Sequence, residues 1–279
     1  MALSVSTDQD TSGSAAISAS TLRIGGRQRA GKRTVGRPMH DGTTTGSPLV
    51  PDHISMLCED ASVGVRDDLR AEVRDVLGPA ARSHGFKGTS PTWRRSTPSG
   101  DWAIVNLQSS RSSSASSVRC VLNTSVAPEP WLRWTRVQTG TAMPKAIPES
   151  MGLYKQRLLP SNTPDSNDGW WQVDSPRRVP QVVDDMHAQL ERQGWPVLGR
   201  LLERDEMLDR IRQGDLGFWR KENVPGYFAT AEALLLMDAG PSRALDEQLA
   251  LVRATSTAAQ VESADRFVRW VRQQAESAT

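Results

Sequence analysis

Amide side chains on a predicted strand are the features of this chain most suited to binding a ligand. In the run DWAIVNLQ, side chains alternate between two faces, and four of them share one face: Trp102, Ile104, Asn106 and Gln108. Two amides beside two large apolar residues are unusual for a buried face, and amides both donate and accept hydrogen bonds. We therefore expect Asn106 and Gln108 to form a recognition surface with Asn123 and the neighbouring serine-rich turn. The open alternative is that these amides satisfy backbone groups at the edges of a short sheet.

Arginines near the same predicted hairpin supply positive charge for an anion. Four of them flank its strands: Arg94, Arg95, Arg111 and Arg119. Guanidinium groups bind carboxylates and phosphates through paired hydrogen bonds, so we include Arg94 in the recognition surface. However, only five of the 34 basic residues are lysine, which indicates a general arginine bias and makes solvated arginines the simpler explanation. The alternative function, a cryptic hydrolase or nucleotide-handling enzyme, requires a concave pocket with an acid or histidine beside Arg94 or Arg119.

A pair of adjacent tryptophans, Trp170 and Trp171, is the second candidate feature. Adjacent residues of a strand point to opposite faces, so one ring can be buried while the other is presented outward. Because tryptophan is frequent among the residues that dominate interfaces, we assign Trp171 to the recognition surface. The acids around the pair are Asp165, Asp168 and Asp174. The alternative is that both rings cover edges of the core.

Sequence patterns typical of catalysis or metal binding are absent. The four histidines are far apart along the chain: His40, His53, His84 and His187. The sequence contains no H-E-x-x-H, no cluster of Cys and His, no G-x-S-x-G and no P-loop. We therefore assign no catalytic residue, no metal and no cofactor. Because an active site built from distant residues leaves no local motif, the enzyme question stays open, with a non-enzymatic role favoured.

The elements that position these residues follow from the spacing of apolar side chains. A stripe over Val65–Leu77 predicts an amphipathic helix that Gly78-Pro79 interrupts or kinks, and Gly85 is a natural left-handed cap after its end. The predicted strands are Thr92–Ser96, Trp102–Gln108 and Val118–Val126, with weaker ones at Leu153–Leu159 and Trp170–Val173. These elements predict the α+β class, with a small antiparallel sheet covered by helices.

Helices dominate the rest of the chain. Near the C terminus they are predicted at Tyr227–Ala239, Arg243–Thr255 and Val261–Ala278. We therefore divide the chain into a tail at 1–57, an α+β domain at 58–203 and an all-helical extension at 204–279. The amphipathic faces of the extension pack either within the chain or on a second protein.

The first 57 residues have the composition of a disordered segment, rich in Ser, Thr, Gly and Pro without apolar periodicity. Six basic residues and no acid lie in Arg23–Arg37. One interpretation is a basic arm that binds nucleic acid weakly. The others are an inert tail, or a translation start at Met39 or Met56.

The cysteines and the hydropathy of the sequence favour a cytoplasmic location. Cys58 and Cys120 are far apart and belong to no C-x-x-C motif, which is consistent with a reducing compartment. No apolar run reaches the roughly 18 residues that a membrane span requires. Residues Met1–Thr21 lack the apolar core of a signal peptide, so we predict neither secretion nor membrane insertion.

The order of several short motifs resembles one bacterial family. The helix is followed by GFK, TWRR, WAIVNLQ, a serine turn, VLNTSV and the tandem tryptophans. This order resembles the domain-of-unknown-function family 4304 over Val65–Val173. The matching positions are Gly85, Phe86, Trp93, Arg94, Asn106, Gln108, Ser110 and Asn123, whereas Val118 stands where the family usually has an aromatic residue. The resemblance implies a fold and supplies no reaction.

From these features we expect a non-catalytic binding or protein-interaction module of the bacterial cytoplasm. Its expected recognition surface consists of Arg94, Asn106, Gln108, Asn123 and Trp171. The expected partner is a protein, and nucleic acid is expected to bind only through the basic arm.

Overall fold

The computed structural model describes residues 64–163 and 169–278 of the 279-residue chain. The predictions for the tail at 1–57, including its basic arm, and for Asp165 and Asp168 fall outside these residues. The described helices are α1 (Val65–Ser83), α2 (Glu129–Thr139), α3 (Val179–Gln189), α4 (Trp195–Leu201), α5 (Arg204–Arg212), α6 (Pro225–Leu236), α7 (Arg243–Ala254) and α8 (Val261–Glu276). The described strands are β1 (Lys87–Thr89), β2 (Thr92–Ser96), β3 (Trp102–Ser109), β4 (Val118–Ala127), β5 (Tyr154–Leu158), β6 (Trp171–Val173), β7 (Asp215–Leu216) and β8 (Trp219–Arg220).

The main sheet is antiparallel, in the order β1-β2-β3-β4-β5, and β6 also pairs with β4. β4 is therefore the central strand, with β3 along one edge and β5 and β6 along the other. Across β3 and β4, Asn106 is aligned with Asn123. On the other edge of β4, Asn123 is aligned with Arg157, and Arg119 with Gln172. Since aligned residues of neighbouring strands point to the same face, this register fixes the composition of both faces.

One face of the sheet packs against α1, α3 and α4 and forms the main core. Alternating residues of the strands fill it, among them Trp93, Val105, Leu122, Tyr154 and Trp171. Each of these side chains is almost wholly removed from water. Burial of one large apolar side chain contributes roughly 1.5–3 kcal/mol, so this face supplies much of the stability of the domain.

The opposite face is covered over only one half. There α2 and the segment 140–151 bury Ile104, Ala127, Leu132 and Ile147 in a separate apolar cluster. On the other half of this face, Gln108 is exposed. The sheet therefore presents a partly open surface to solvent.

Helix α1 continues through Gly78-Pro79 without interruption. Pro79 cannot donate a backbone hydrogen bond, but its side chain is exposed, where its ring does not disturb the core. Leu77 and Ala81, on either side of it, are fully buried, and this packing offsets the lost hydrogen bond. Gly85 then adopts φ 79°, the left-handed conformation expected after the end of this helix.

The predicted fold class is confirmed: the chain is α+β, with an antiparallel sheet, covering helices and a helical C-terminal region. That region also contains the small hairpin of β7 and β8, in which the Phe218 N–H donates to Lys155 O of β5 at 2.8 Å. Met207, Ile211 and Phe228, from α5 and α6, belong to the same apolar cluster as the sheet. The division of the chain at 203/204 stays a prediction.

A network of ion pairs joins the sheet to the C-terminal helices. The buried Asp101 carboxylate accepts the Glu129 N–H at 2.7 Å and Arg204 Nη2 at 3.3 Å. Arg204 Nη1 donates to Asp238 Oδ2 at 2.7 Å, and Arg133 Nη2 of α2 donates to Asp238 Oδ1 at 2.8 Å. Burial by itself raises the pKa of Asp101, but the Glu129 N–H, a serine hydroxyl and the Arg204 charge outweigh it and hold this pKa below its ordinary value.

Candidate functional site

The half of the sheet that α2 leaves uncovered is the candidate functional site. We call it the open polar face, and it consists of Thr92, Asn106, Gln108, Arg119, Arg157 and Trp170. The strand register places the first five on one face, and Trp170 contacts the two arginines among them. Gln108 and Arg119 are exposed, and the other four are partly exposed. All six side chains are therefore within reach of a ligand.

The amides of this face are held by hydrogen bonds to one another and to a hydroxyl. Asn123 Nδ2 donates to Gln108 Oε1 at 2.8 Å, and Asn106 Nδ2 donates to Thr92 Oγ1 at 2.8 Å. Asn123 itself is only 4 % exposed, so its role is to orient Gln108 rather than to contact a ligand. The structure therefore brings together the three predicted amides and gives them different roles.

Trp170, rather than Trp171, belongs to the open polar face. The guanidinium carbons of Arg119 and Arg157 each lie 5.4 Å from the centroid of the Trp170 ring, which is cation–π distance. The Trp171 ring is 3 % exposed on the core face, where its Nε1 donates to Asp185 Oδ2 at 2.8 Å. The expected outward presentation of Trp171 is therefore corrected: β6 pairs Trp171 with Cys120, and both point into the core. Of the expected acids around the pair, Asp174 is described, and it pairs with Arg178 at 3.3 Å.

Arg94 lies on the same side of the sheet as the amides but at its covered half. Its Nε donates to Ile147 O at 2.7 Å, which ties β2 to the segment that covers this half. Arg95 is aligned with Ala103 and so points to the other face, where its Nη1 lies 3.5 Å from His84 O. The predicted arginine rim therefore does not assemble as expected, because consecutive residues of a strand cannot share a face.

Positive charge is nevertheless concentrated on the polar side of the sheet. Strands β1–β6 contain six basic residues and no acid. Five of these basic residues share the side that carries the amides: Lys87, Arg94, Arg119, Lys155 and Arg157. The strands therefore carry a net positive charge on this side, in a chain whose net charge is only +2.

Among the described residues, Glu149 of the covering segment is an acid close enough to interact with Lys155 and Arg157. Burial raises the pKa of Glu149, while the charges of Lys155 and Arg157 oppose the shift. Burial also lowers the pKa of Lys155, and Glu149 opposes that shift. Lys155 Nζ donates to Ser150 O at 2.6 Å. Lys155 is therefore engaged by the covering segment, which makes Arg119 the more accessible cation.

Three cavities among the described residues bear on the alternative of an enzyme. They have volumes of about 550, 400 and 340 Å³, and neither Arg94 nor Arg119 lines any of the three. Trp170, Trp171 and Asp185 line the largest of them, beside β6 and α3. The Asp185 carboxylate there already accepts the Trp171 ring N–H. Arg119 contacts Trp170 at the edge of this largest cavity, which Asp174 also lines, so the alternative of an enzyme stays a prediction.

Residues 64–163 and 169–278 contain neither a cluster suited to a metal nor a helix suited to a membrane. No three His, Cys, Asp or Glu side chains in these ranges converge in a way that suits a metal ion. Within the same ranges, no helix has both the length and the apolar character that crossing a membrane requires.

Sequence reasoning missed Arg157 and Thr92, and of the two candidate tryptophans it assigned Trp171 rather than Trp170 to the recognition surface. A signal for Arg157 was present, because Tyr154 and Leu158 stand four residues apart, which puts the intervening Lys155 and Arg157 together on the opposite side of a strand. The choice between the two tryptophans had no such signal, because it depends on how β6 pairs with β4.

The open polar face, built on a six-stranded antiparallel sheet with helices on its other side, defines an α+β domain with a candidate binding surface. Residues 77–200 match the family model described as "Domain of unknown function (DUF4304)", and this part of the chain is a DUF4304 domain. The resemblance inferred from the motifs is thus confirmed, and the match contains all six residues of the open polar face. Searches of curated proteins and of solved structures found no match.

Proposed function

We propose that this protein is a non-catalytic binding module of the bacterial cytoplasm, with the open polar face as its recognition surface and a protein as its partner. One observation carries the proposal: hydrogen-bonding amides, a partly exposed tryptophan and basic residues share an open half of a sheet whose strands contain no acid. Tryptophan and arginine are enriched among the residues that contribute most to binding at protein interfaces. This combination favours recognition of another macromolecule.

The chemistry of the six residues supports binding rather than catalysis. Amide, hydroxyl, indole and guanidinium groups do not exchange protons near neutral pH in their ordinary environments. General acid–base catalysis needs a group whose pKa lies near the working pH, usually a histidine, a carboxylate, a lysine or a cysteine. None of these residue types is among the six that form the open polar face.

The arrangement also favours binding because the side chains are already ordered. Hydrogen bonds with the Thr92 hydroxyl and the Asn123 amide orient Asn106 and Gln108, and the Trp170 ring restrains two arginines. Ordering a long side chain on binding costs roughly 0.5–1.5 kcal/mol, and a surface that is already ordered avoids much of this cost.

Affinity purification of the tagged full-length chain from its host, with quantitative mass spectrometry, tests this proposal. We compare the natural chain with the double variant Gln108→Ala/Arg119→Ala and with the control Arg70→Ala. Arg70 is a suitable control because it is also an exposed arginine, in α1 and paired with Asp67. We expect a stoichiometric partner that the double variant loses and the control keeps. A partner retained equally by all three proteins refutes the open polar face as the recognition surface.

A further inference from the structure

The charge of the open polar face indicates the chemistry of the partner surface. Arg119 is exposed at the end of the face, and no Asp or Glu among the described residues forms an ion pair with it. The cation–π contact with Trp170 engages the charge of the guanidinium and not its N–H donors, which stay available to a ligand. Arg119 therefore offers several donors in one plane without an acidic partner from the described residues.

Gln108 adds a further donor beside this arginine. Its carbonyl oxygen already accepts a hydrogen bond from Asn123 Nδ2, so its NH₂ group is the part that a ligand can contact. No hydrogen bond between described residues has Gln108 Nε2 as its donor. The exposed groups at this end of the face are therefore mainly donors, and they suit a ligand rich in acceptor oxygens.

Two classes of macromolecule present such oxygens, acidic proteins and nucleic acids, and the geometry of the face favours the first. Single-stranded nucleic acid is bound by aromatic rings on which bases stack and by a basic groove that follows the phosphates. Here the Trp170 ring already contacts the guanidinium groups of Arg119 and Arg157. Of the other cations on this side, Lys155 is bonded to Ser150 O and Arg94 to Ile147 O. Lys87 is exposed, but it lies on the edge strand β1, three strands away from β4, which carries Arg119. The accessible charge around Trp170 is thus a compact cluster, separated from Lys87, rather than a continuous track.

We infer that the open polar face binds a carboxylate-rich segment of a protein partner, with Arg119 pairing with a carboxylate and Gln108 donating to an adjacent acceptor. The inference rests on the proposed binding role and adds the charge and the class of the partner. Charge complementarity supports it, because five of the six basic residues of the sheet lie on this side and its strands carry no acid. Trp170 acts here as a positioning residue, because its ring contacts the Arg119 guanidinium.

Fluorescence anisotropy with a labelled deca-glutamate peptide tests the inference on the full-length protein. Titrations of the natural chain, Arg119→Gln and the matched control Arg70→Gln are compared at low and at high salt. Hydrogen bonds to charged groups are strong but are weakened by exposure, so we expect Arg119→Gln to weaken binding about fivefold. We expect the control to bind like the natural chain, and salt to remove the difference. If the basic arm also binds the peptide, it adds the same binding signal for all three proteins, so the differences between them still report on Arg119.

The same titrations are repeated with a labelled ten-nucleotide thymidine strand as a nucleic-acid probe, and with the variant Gln108→Ala. Thermal unfolding verifies that each variant is folded. Identical peptide affinities for Arg119→Gln and Arg70→Gln overturn the inference, as does the absence of peptide binding. If the oligonucleotide binds in an Arg119-dependent manner and the peptide does not, the partner class is wrong while the face remains a binding surface. If neither probe depends on Arg119, the inference fails, and the affinity purification decides the proposed function separately.

Discussion

Asp101→Asn is the substitution that most directly tests how the sheet is joined to the C-terminal helices. The Asp101 side chain is 3 % exposed, while that of its partner Arg204 is 32 % exposed. The carboxylate accepts the Glu129 N–H at the start of α2 and a second, 2.7 Å hydrogen bond from the Ser99 hydroxyl. Asparagine has nearly the same shape, so the substitution removes the charge without creating a cavity.

The expected loss follows from these contacts. A hydrogen bond to a charged group contributes roughly 1.5–3 kcal/mol, and a negative charge at a helix N terminus contributes roughly 0.3–1 kcal/mol. Because Arg204 is partly exposed, water stabilises it after the substitution, and we use the lower end of the first range. Adding the weaker Glu129 and Ser99 hydrogen bonds, we expect a loss of about 3 kcal/mol in the free energy of unfolding. For a domain of this size, that loss lowers Tm by about 6–12 °C.

The assay is urea unfolding of both proteins between pH 3 and pH 8. Folding lowers the pKa of Asp101, so its charged form contributes stability that is fully present above its unfolded pKa of about 3.9. That contribution is lost as the pH falls through the lower pKa of the folded state. The difference between the natural chain and Asp101→Asn is therefore constant near neutral pH and narrows in acid.

Asp246→Asn is the matched control for this experiment. It removes the same charge from a carboxylate that is 65 % exposed and pairs with Arg272 at 3.0 Å. Exposed ion pairs contribute roughly 0–1 kcal/mol, so we expect a small effect. The reasoning is refuted if Asp101→Asn costs no more than Asp246→Asn, or if its effect grows as the solution is acidified.

Three further predictions follow from burial and backbone geometry. Trp171→Ala removes a buried ring and should lower the free energy of unfolding, measured with urea, by roughly 3–5 kcal/mol. Trp170→Ala removes a partly exposed ring, so it should change the urea midpoint little and should weaken partner binding. Gly217→Ala drives a methyl group into the backbone oxygen of Lys155 in β5, at a residue with φ 79°, so limited proteolysis should cut at 215–220 faster. Burial raises the pKa of the Cys120 thiol to about 12, so in a Cys58→Ser background it should react with a thiol reagent at pH 8 only as fast as the protein unfolds.

Each of these predictions has a clear contrary result. Equal destabilisation by the two tryptophan variants would contradict the assignment of one ring to the core and the other to the open polar face. An unchanged cleavage rate of Gly217→Ala would contradict the prediction that the added methyl group separates the β7–β8 hairpin from β5. Rapid modification of Cys120 in the folded protein would contradict its burial on the core face.

The alternation of apolar and polar residues along β3 was sufficient to predict which face carries Asn106 and Gln108. It could do so because the side-chain period within one strand is fixed by local backbone geometry. The same rule excludes Arg94 and Arg95 from a common rim. Helix α1 shows the limit of local rules, since the tertiary packing of Leu77 and Ala81 overrides the interruption that Gly78-Pro79 favours.

Other features of the site depend on long-range pairing that a single sequence does not show. The choice of Trp170 over Trp171 follows from the alignment of Cys120 with Trp171 across β4 and β6. The contact of Arg157 with Trp170 joins β5 to the residue before β6. The covered half of the polar side depends on α2 and on the segment after it, whose path is set by burial of Ile147.

The central claim is that the open polar face contacts the partner, and site-specific photo-crosslinking tests it most directly. A photo-reactive amino acid replaces Gln108 in one full-length protein and Arg70 in another, and both are irradiated in the host cell. The account predicts a discrete crosslinked species, identified by mass spectrometry, from position 108 and none from position 70. Crosslinking from position 70 but not from position 108, or none from either while affinity purification retains a partner, would contradict it.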